Sequence, residues 1–493
     1  MLQKYFSFAV LAMLLLAVQS ARGQQELEQL SPFARGAGGT YALTSRGLDA
    51  VGLNPSLLGL GTPRPIEVSL APISSLGINA GPSLSQINSV SRGFDSIASV
   101  QVSMTPDGIS RGDSIREAIA NLLANNALSS TIDMRVLGIS YYDKNFGGLA
   151  FTWSMHSILQ ATVPSGLLSY IGVGALAKLA QGNTLPPQYL DLQALWYSEY
   201  TLSYGRTLLG ENGSGDLQLL GGIGLKYLSG IAVMQMNPGE FDINDQSLHP
   251  GTSLLEAYIV GVNYQIRSAY PANLNFTNLP STISAKLIEN ATAGSGVGAD
   301  VGLTLGQFDA GQNSPWELAA SISDIGSINW NTNVSIRTAD TVVNPATSQS
   351  NKDTLNAQLK ALGGRDSAVT SFNMPLPTTL HLAAGLDLTE IGISFPAIAL
   401  GVVSEYAIGL TNTVGAPQHG RFGIAATLEH GGSALSVHGA LGMVTQDGTS
   451  DITAAFGLGI ANRILVDVGT SSLNGLFTST GHTDAVFDLK VLF

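Results

Sequence analysis

The sequence predicts an all-β chain, a transmembrane antiparallel β-barrel of about 14 strands with a few short helices in its loops. Three observations carry that prediction. The terminal stretch Thr483–Phe493 places Phe487, Leu489, Val491 and Phe493 on one face at period 2, with Asp488 and Lys490 on the other. A closing barrel strand needs that pattern, because one face meets lipid and the other a lumen. Second, the chain is apolar on average (mean hydropathy +0.23), yet past residue 18 its apolar residues are dispersed, with no run long enough for a membrane helix. Third, alternation recurs in many segments. Leu149, Phe151, Trp153 and Met155 alternate with Ala150, Thr152, Ser154 and His156, and Leu217–Tyr227, Tyr258–Ile266, Val297–Leu305 and Leu380–Leu388 repeat the pattern.

Taken in order, residues 1–23 have the form of a secretory signal peptide. Lys4 supplies a short positive start, Phe6–Val18 is apolar, and Ala21-Arg22-Gly23 is a cleavage site ahead of Gln24. No Cys follows, which excludes a lipoprotein anchor. The barrel is expected over residues 63–493. Its most regular part is the last third, with strands at Phe422–His430, Leu435–Met443, Thr453–Ile460, Ile464–Gly469 and Asp484–Phe493. Gly431-Gly432 and Ala461-Asn462-Arg463 are the tight links between them. Helical spacing appears at Asp113–Leu128, in the apolar stretch Gly166–Ala180 and near Asp353–Leu362. Ser268–Asn290 and Thr338–Met374 read as polar loops. Trp153, Tyr197, Tyr200, Tyr227 and Tyr258 fall near segment ends, where an interfacial girdle would place them.

Composition narrows the function. Charged residues are 12% of the chain, about half the usual share of ~25%. The 57 Gly suit a crowded interior. A net charge of -13 leaves no basic stripe for nucleic acid and no polybasic patch for anionic lipid. Without cysteine, no disulfide staples the fold.

Residues Gly36–Leu60 read G-A-G-G-T-Y-A-L-T-S-R-G-L-D-A-V-G-L-N-P-S-L-L-G-L. Small residues, an acidic helical turn and then Asn54-Pro55 ahead of the first strand resemble the N-terminal segment of the long-chain fatty-acid transporter (FadL-like) superfamily of outer-membrane barrels. The resemblance is closer to an uncharacterised branch related to the secretion-associated PorV-type barrels. Ser56 stands where Ala is usual, and Asp49 stands alone where an acidic pair is common. The resemblance implies that residues 24–62 form a plug, or hatch, inside the barrel, carried by Gly38, Gly39, Arg46, Asp49, Asn54 and Pro55. Arg46 and Asp49 are then expected to pair with lumen charges such as Lys226, Asp300 or Asp387. It also implies that the terminal Phe487, Leu489, Val491 and Phe493 serve as an insertion signal for the barrel insertion machinery, in the outer membrane of a Gram-negative-type envelope.

No catalytic or metal constellation stands out. The seven His are scattered, and His430 and His438 can at most face each other across a hairpin. Asp242-Ile243-Asn244-Asp245 lacks the calcium-loop pattern. No G-K-[ST] follows the glycine-rich stretches, and no G-x-S-x-G elbow is present. The expectation is a non-enzyme without cofactor: a passive channel for small hydrophobic molecules, with outer-membrane lipid around it and a lipid-like ligand. The alternative is a barrel component of a secretion or surface-attachment system, with an exported protein as partner.

Overall fold

The computed structural model describes residues 31–493 apart from 63, 71–75, 81–127, 163–184, 212, 246–257, 272–291, 310–312, 344–363, 368, 391, 393–397, 418, 432–433, 447 and 478–482. The signal-peptide reading and the three helical readings therefore lie outside the described residues. Nineteen strands follow one another: β1 (Ile66–Leu70), β2 (Leu76–Ala80), β3 (Leu128–Asp143), β4 (Gly147–Thr162), β5 (Leu185–Leu209), β6 (Gln218–Asp245), β7 (Tyr258–Ala269), β8 (Gly294–Gly306), β9 (Trp316–Trp330), β10 (Ser335–Val343), β11 (Arg365–Ser367), β12 (Phe372–Pro375), β13 (Thr379–Asp387), β14 (Ala399–Gly409), β15 (Arg421–His430), β16 (Leu435–Gln446), β17 (Thr449–Ile460), β18 (Ile464–Thr470) and β19 (Thr483–Leu492).

All pairings are antiparallel, and they close into a barrel of 14 strands. Two of its staves are interrupted: β1 and β2 share one, pairing with β3 on one side and β19 on the other, and β12 and β13 share one beside β9. Closure leaves no unpaired edge, the requirement for a sheet that meets lipid. β7 lies outside the ring. It pairs with the far half of β6, beyond Val233, and carries β10 and β11 in turn. Asp242–Asp245 thus lies in strand, and the stretch read as a polar loop at Thr338–Met374 contains strand. Short period-2 patterns in polar sequence are weak signals, and pairing with a long neighbouring strand overrides them.

Alternation sets the two faces. Leu202, Ile223, Leu225, Val297, Leu303, Leu441, Phe456 and Val468 point outward and are 43% exposed or more. Their inward neighbours are charged, polar or small and buried. An apolar outside around a polar inside inverts the soluble arrangement, and an exposed apolar surface of this extent marks contact with something other than water. Tight links such as 144–146 and Ala461–Arg463 gather at the end that holds Phe493, and the strand ends Ala80, Leu128, Thr162 and Leu185, between which the long connections run in sequence, lie at the other. Among the described residues no helix is long and apolar enough to cross a membrane.

At the seam between β19 and the first stave, that stave is described on either side of residues 71–75. β19 pairs with β1 through Leu492 and Val491, and with β2 from Phe487 onward. Asp488, Leu489 and Lys490 pair with β18. On the other side, Leu70 pairs Leu137 and Leu76 pairs Met134.

Candidate functional site

The N-terminal segment from Ser31 to Gly61 is a string of single helical turns: Pro32–Gly36, Tyr41–Thr44, and 3₁₀ turns Gly47–Ala50 and Pro55–Leu60. Pro32 and Pro55 open two of them, where the missing N–H costs nothing. Gly38 and Gly39 supply the positive φ (+73° and +69°) that turns the chain between the first two. Leu48, Leu53, Leu57 and Leu60 are almost completely buried.

Asn54 is the hub of this segment. Its amide donates to the Ala42 carbonyl (2.7 Å) and to Thr304 Oγ1 on β8 (3.1 Å). Its carbonyl oxygen accepts from the Ser56 hydroxyl (2.6 Å), which also meets Thr304 Oγ1 at 2.7 Å. The departure from Ala at position 56 therefore adds a hydroxyl that ties the segment to the wall. Asn54-Pro55 then lies on a row of glycines. Gly148, Gly205, Gly222 and Gly302 are in register across β4, β5, β6 and β8. A Cβ on Gly222 would stand 2.3 Å from the Pro55 carbonyl carbon, and one on Gly302 would stand 1.9 Å from Asn54 Oδ1. The row is a flat bed that only glycine leaves open.

Two charge groups flank the segment. At the seam, Lys490 Nζ lies 2.6 Å from Asp49, 3.1 Å from Asp488 and 3.7 Å from Glu67. Arg135 reaches Asp49 at 3.0 Å. Across the lumen, Lys226 Nζ lies 2.6 Å from Asp324, 3.0 Å from Asp300 and 3.3 Å from Glu199. A cavity of about 20 Å³, room for a single water, separates the groups and is bordered by Asp49, Arg135, His156 and Glu199.

Above the second group sits an apolar tier. Ile158, Leu195, Tyr197, Leu228, Ile328 and Trp330 are all at most 3% exposed and form one cluster. On each strand the apolar residue lies nearer the long-connection end than its charged neighbour: Ile158 above His156 on β4, Tyr197 above Glu199 on β5, Leu228 above Lys226 on β6, Ile328 above Asp324 on β9.

These placements correct several sequence readings. Lys226 and Asp300 face the lumen, but they hold each other. Asp49 pairs with Arg135 and Lys490, and Arg46 with Glu317 at 3.3 Å. Asp387 instead caps its own turn, accepting from the Thr389 and Glu390 amides. Tyr197 faces inward and is fully buried, so it does not belong to a girdle. Trp153, Tyr200 and Tyr227 do form an outer row, with centroids 5.6 and 6.1 Å apart. His438 stands opposite Glu429, not His430, and bonds Asp467 (2.7 Å). Phe487, Leu489, Val491 and Phe493 alternate outward with Asp488 and Lys490 inward. Glu199, Asp324, Glu405 and Arg135 were not singled out. A lone charge at an inward position of a strand is the signal that would have found them.

One further chain of bonds was invisible in sequence. Ser323 Oγ meets His381 Nε2 at 3.3 Å, and His381 Nδ1 meets Glu405 at 2.8 Å. The same order of groups serves hydrolases. Here Glu405 also accepts from Arg421 (3.1 Å) and from the Ala42 amide (2.7 Å). Ser323 and His381 are each 1% exposed. Among the described residues no three metal-capable side chains converge.

The fold and site thus define a closed antiparallel barrel whose lumen is occupied by its own N-terminal segment. A model of a family of unknown function, DUF5723, matches residues 64–450, and the chain belongs to that family. No curated protein matches it. Among solved structures it is similar to the toluene transporter TodX of Pseudomonas putida (10% identity, 95% of this chain and 98% of that one, TM-score 0.39). It is also similar to a FadL homologue of Pseudomonas aeruginosa (9%, 96% and 98%, TM-score 0.41) and to the CymD monoaromatic hydrocarbon channel (10%, 95% and 99%, TM-score 0.40).

Proposed function

We propose that this protein is an outer-membrane channel that passes small hydrophobic molecules passively, with residues 31–61 as its hatch. The observation that carries the reading is the apolar tier inside the lumen. A water-filled pore lines its interior with polar groups. Leu228, Ile328 and Trp330 stand between the long-connection end and the charged tier, with the hatch beneath. A straight path through the barrel crosses buried ions, which is costly for an apolar solute and its shell alike. The Ser323–His381–Glu405 chain fits a tie between hatch and wall, since Glu405 holds the Ala42 amide.

Native mass spectrometry of the protein extracted in mild detergent tests the reading. Retention of a hydrophobic small molecule supports it and directs mutations to the apolar tier. Retention of a protein subunit, with no small molecule, overturns it in favour of a secretion or surface-attachment role.

A further inference from the structure

The last strand, β19, carries three charged residues, Asp484, Asp488 and Lys490, and all three are buried on its inward face. Two of them bond the N-terminal segment directly. Asp484 forms an ion pair with Arg35, and Lys490 Nζ meets Asp49 at 2.6 Å. The segment therefore holds β19 near both of its ends.

The same segment holds the strands on the other side of the seam. The second carboxylate oxygen of Asp49 accepts from Arg135 on β3 at 3.0 Å. The neighbouring Leu48 amide donates to Glu67 on β1 at 2.8 Å, and Glu67 also accepts from Ser140 on β3 at 3.2 Å. One short turn, Gly47–Ala50, thus bonds β19, β1 and β3 together. Two side-chain contacts cross the seam without the segment, and both are longer. Lys490 stands 3.7 Å from Glu67, and Arg135 stands 3.6 Å from Asp488, beyond hydrogen-bond length. Asp49 is buried between two buried cations, so its loss leaves each of them desolvated and without its nearest carboxylate. The pairing that this turn spans joins the two ends of the barrel sequence, a contact whose loop-closure entropy is spent before it is rewarded.

We propose that the N-terminal segment has a second role: it clasps the last strand of the barrel to the first, through Asp49. The role concerns how the barrel closes and not what it carries, so it stands apart from the channel reading.

The test is amide hydrogen exchange, read by mass spectrometry, on the folded full chain in nanodiscs. Wild type is compared with Asp49→Asn, which removes the charge and keeps the shape. Peptides from β1 and β19 should exchange at least about tenfold faster in the variant. Peptides from β9 and β13, on the opposite wall, should keep their wild-type rates. Faster exchange on all staves alike, or on none, overturns the proposal. If Asp49→Asn does not fold, pulse labelling of wild type as it refolds into vesicles decides. Protection of the amides of residues 47–50 with or before those of β1 and β19 supports the clasp, and full protection of the seam before them overturns it.

Discussion

At the residue scale the account turns on Asn54, whose four hydrogen bonds join two turns of the hatch to Thr304 on the wall. Asn54→Ala takes the side-chain partner from the Ala42 carbonyl and the Ser56 amide in a buried place, while the Ser56 and Thr304 hydroxyls keep each other. Each unsatisfied group costs roughly 1–3 kcal/mol, so the variant should lose about 3 kcal/mol. The measurement is the midpoint of urea or heat unfolding of the refolded protein. An unchanged midpoint would show that the hatch adds nothing to barrel stability. Ser56→Ala should fall between wild type and Asn54→Ala, because Asn54 and Thr304 still meet.

At the element scale the glycine row and the tight turns give separate predictions. Gly222→Val puts a branched side chain where the Pro55 carbonyl carbon lies 2.3 Å from a Cβ. The strand accepts valine readily, so the barrel should still fold while the hatch is displaced. Single-channel conductance in planar bilayers should rise several-fold. A silent channel of wild-type conductance would mean that the hatch does not rest on this row. Ala461 and Asn462, between β17 and β18, have φ of +53° and +50°. The turn closed by the Arg463 amide on the Ile460 carbonyl has these two as its central pair, a position that favours Asn-Gly types, and alanine there carries strain of about 1 kcal/mol. Ala461→Gly should therefore raise the unfolding midpoint, and a lowered midpoint would contradict the turn.

The staves themselves were legible because period-2 alternation is strongest where lipid demands apolar residues on every second position. The ends of β15 to β19 fall within a few residues of the segments read from sequence. β7 was read as the alternating segment Tyr258–Ile266, but its place outside the ring was not legible, nor were the interruption of the first stave and the strands β10 and β11. The sequences of β1, β2, β10 and β11 are short or polar, and partner strands alone decide their state. The lumen charges were half legible. Lys226 and Asp300 stand out on alternating strands, whereas their partnership with Glu199 and Asp324 depends on register across four strands.

At the scale of the whole molecule, the barrel orders its interior along its axis: long connections, then an apolar tier, then buried ions, then the hatch. That sequence of environments admits a hydrophobic solute part of the way. Leu228, fully buried in the apolar tier and directly above Lys226, is the residue whose chemistry this ordering depends on. The most direct measurement is uptake by proteoliposomes of a small hydrophobic probe and of a small sugar, with wild type and Leu228→Asn compared. The account predicts that wild type speeds the hydrophobic probe and not the sugar, and that Leu228→Asn slows the probe about tenfold while the barrel stays folded. Sugar flux through wild type with no acceleration of the hydrophobic probe would contradict it.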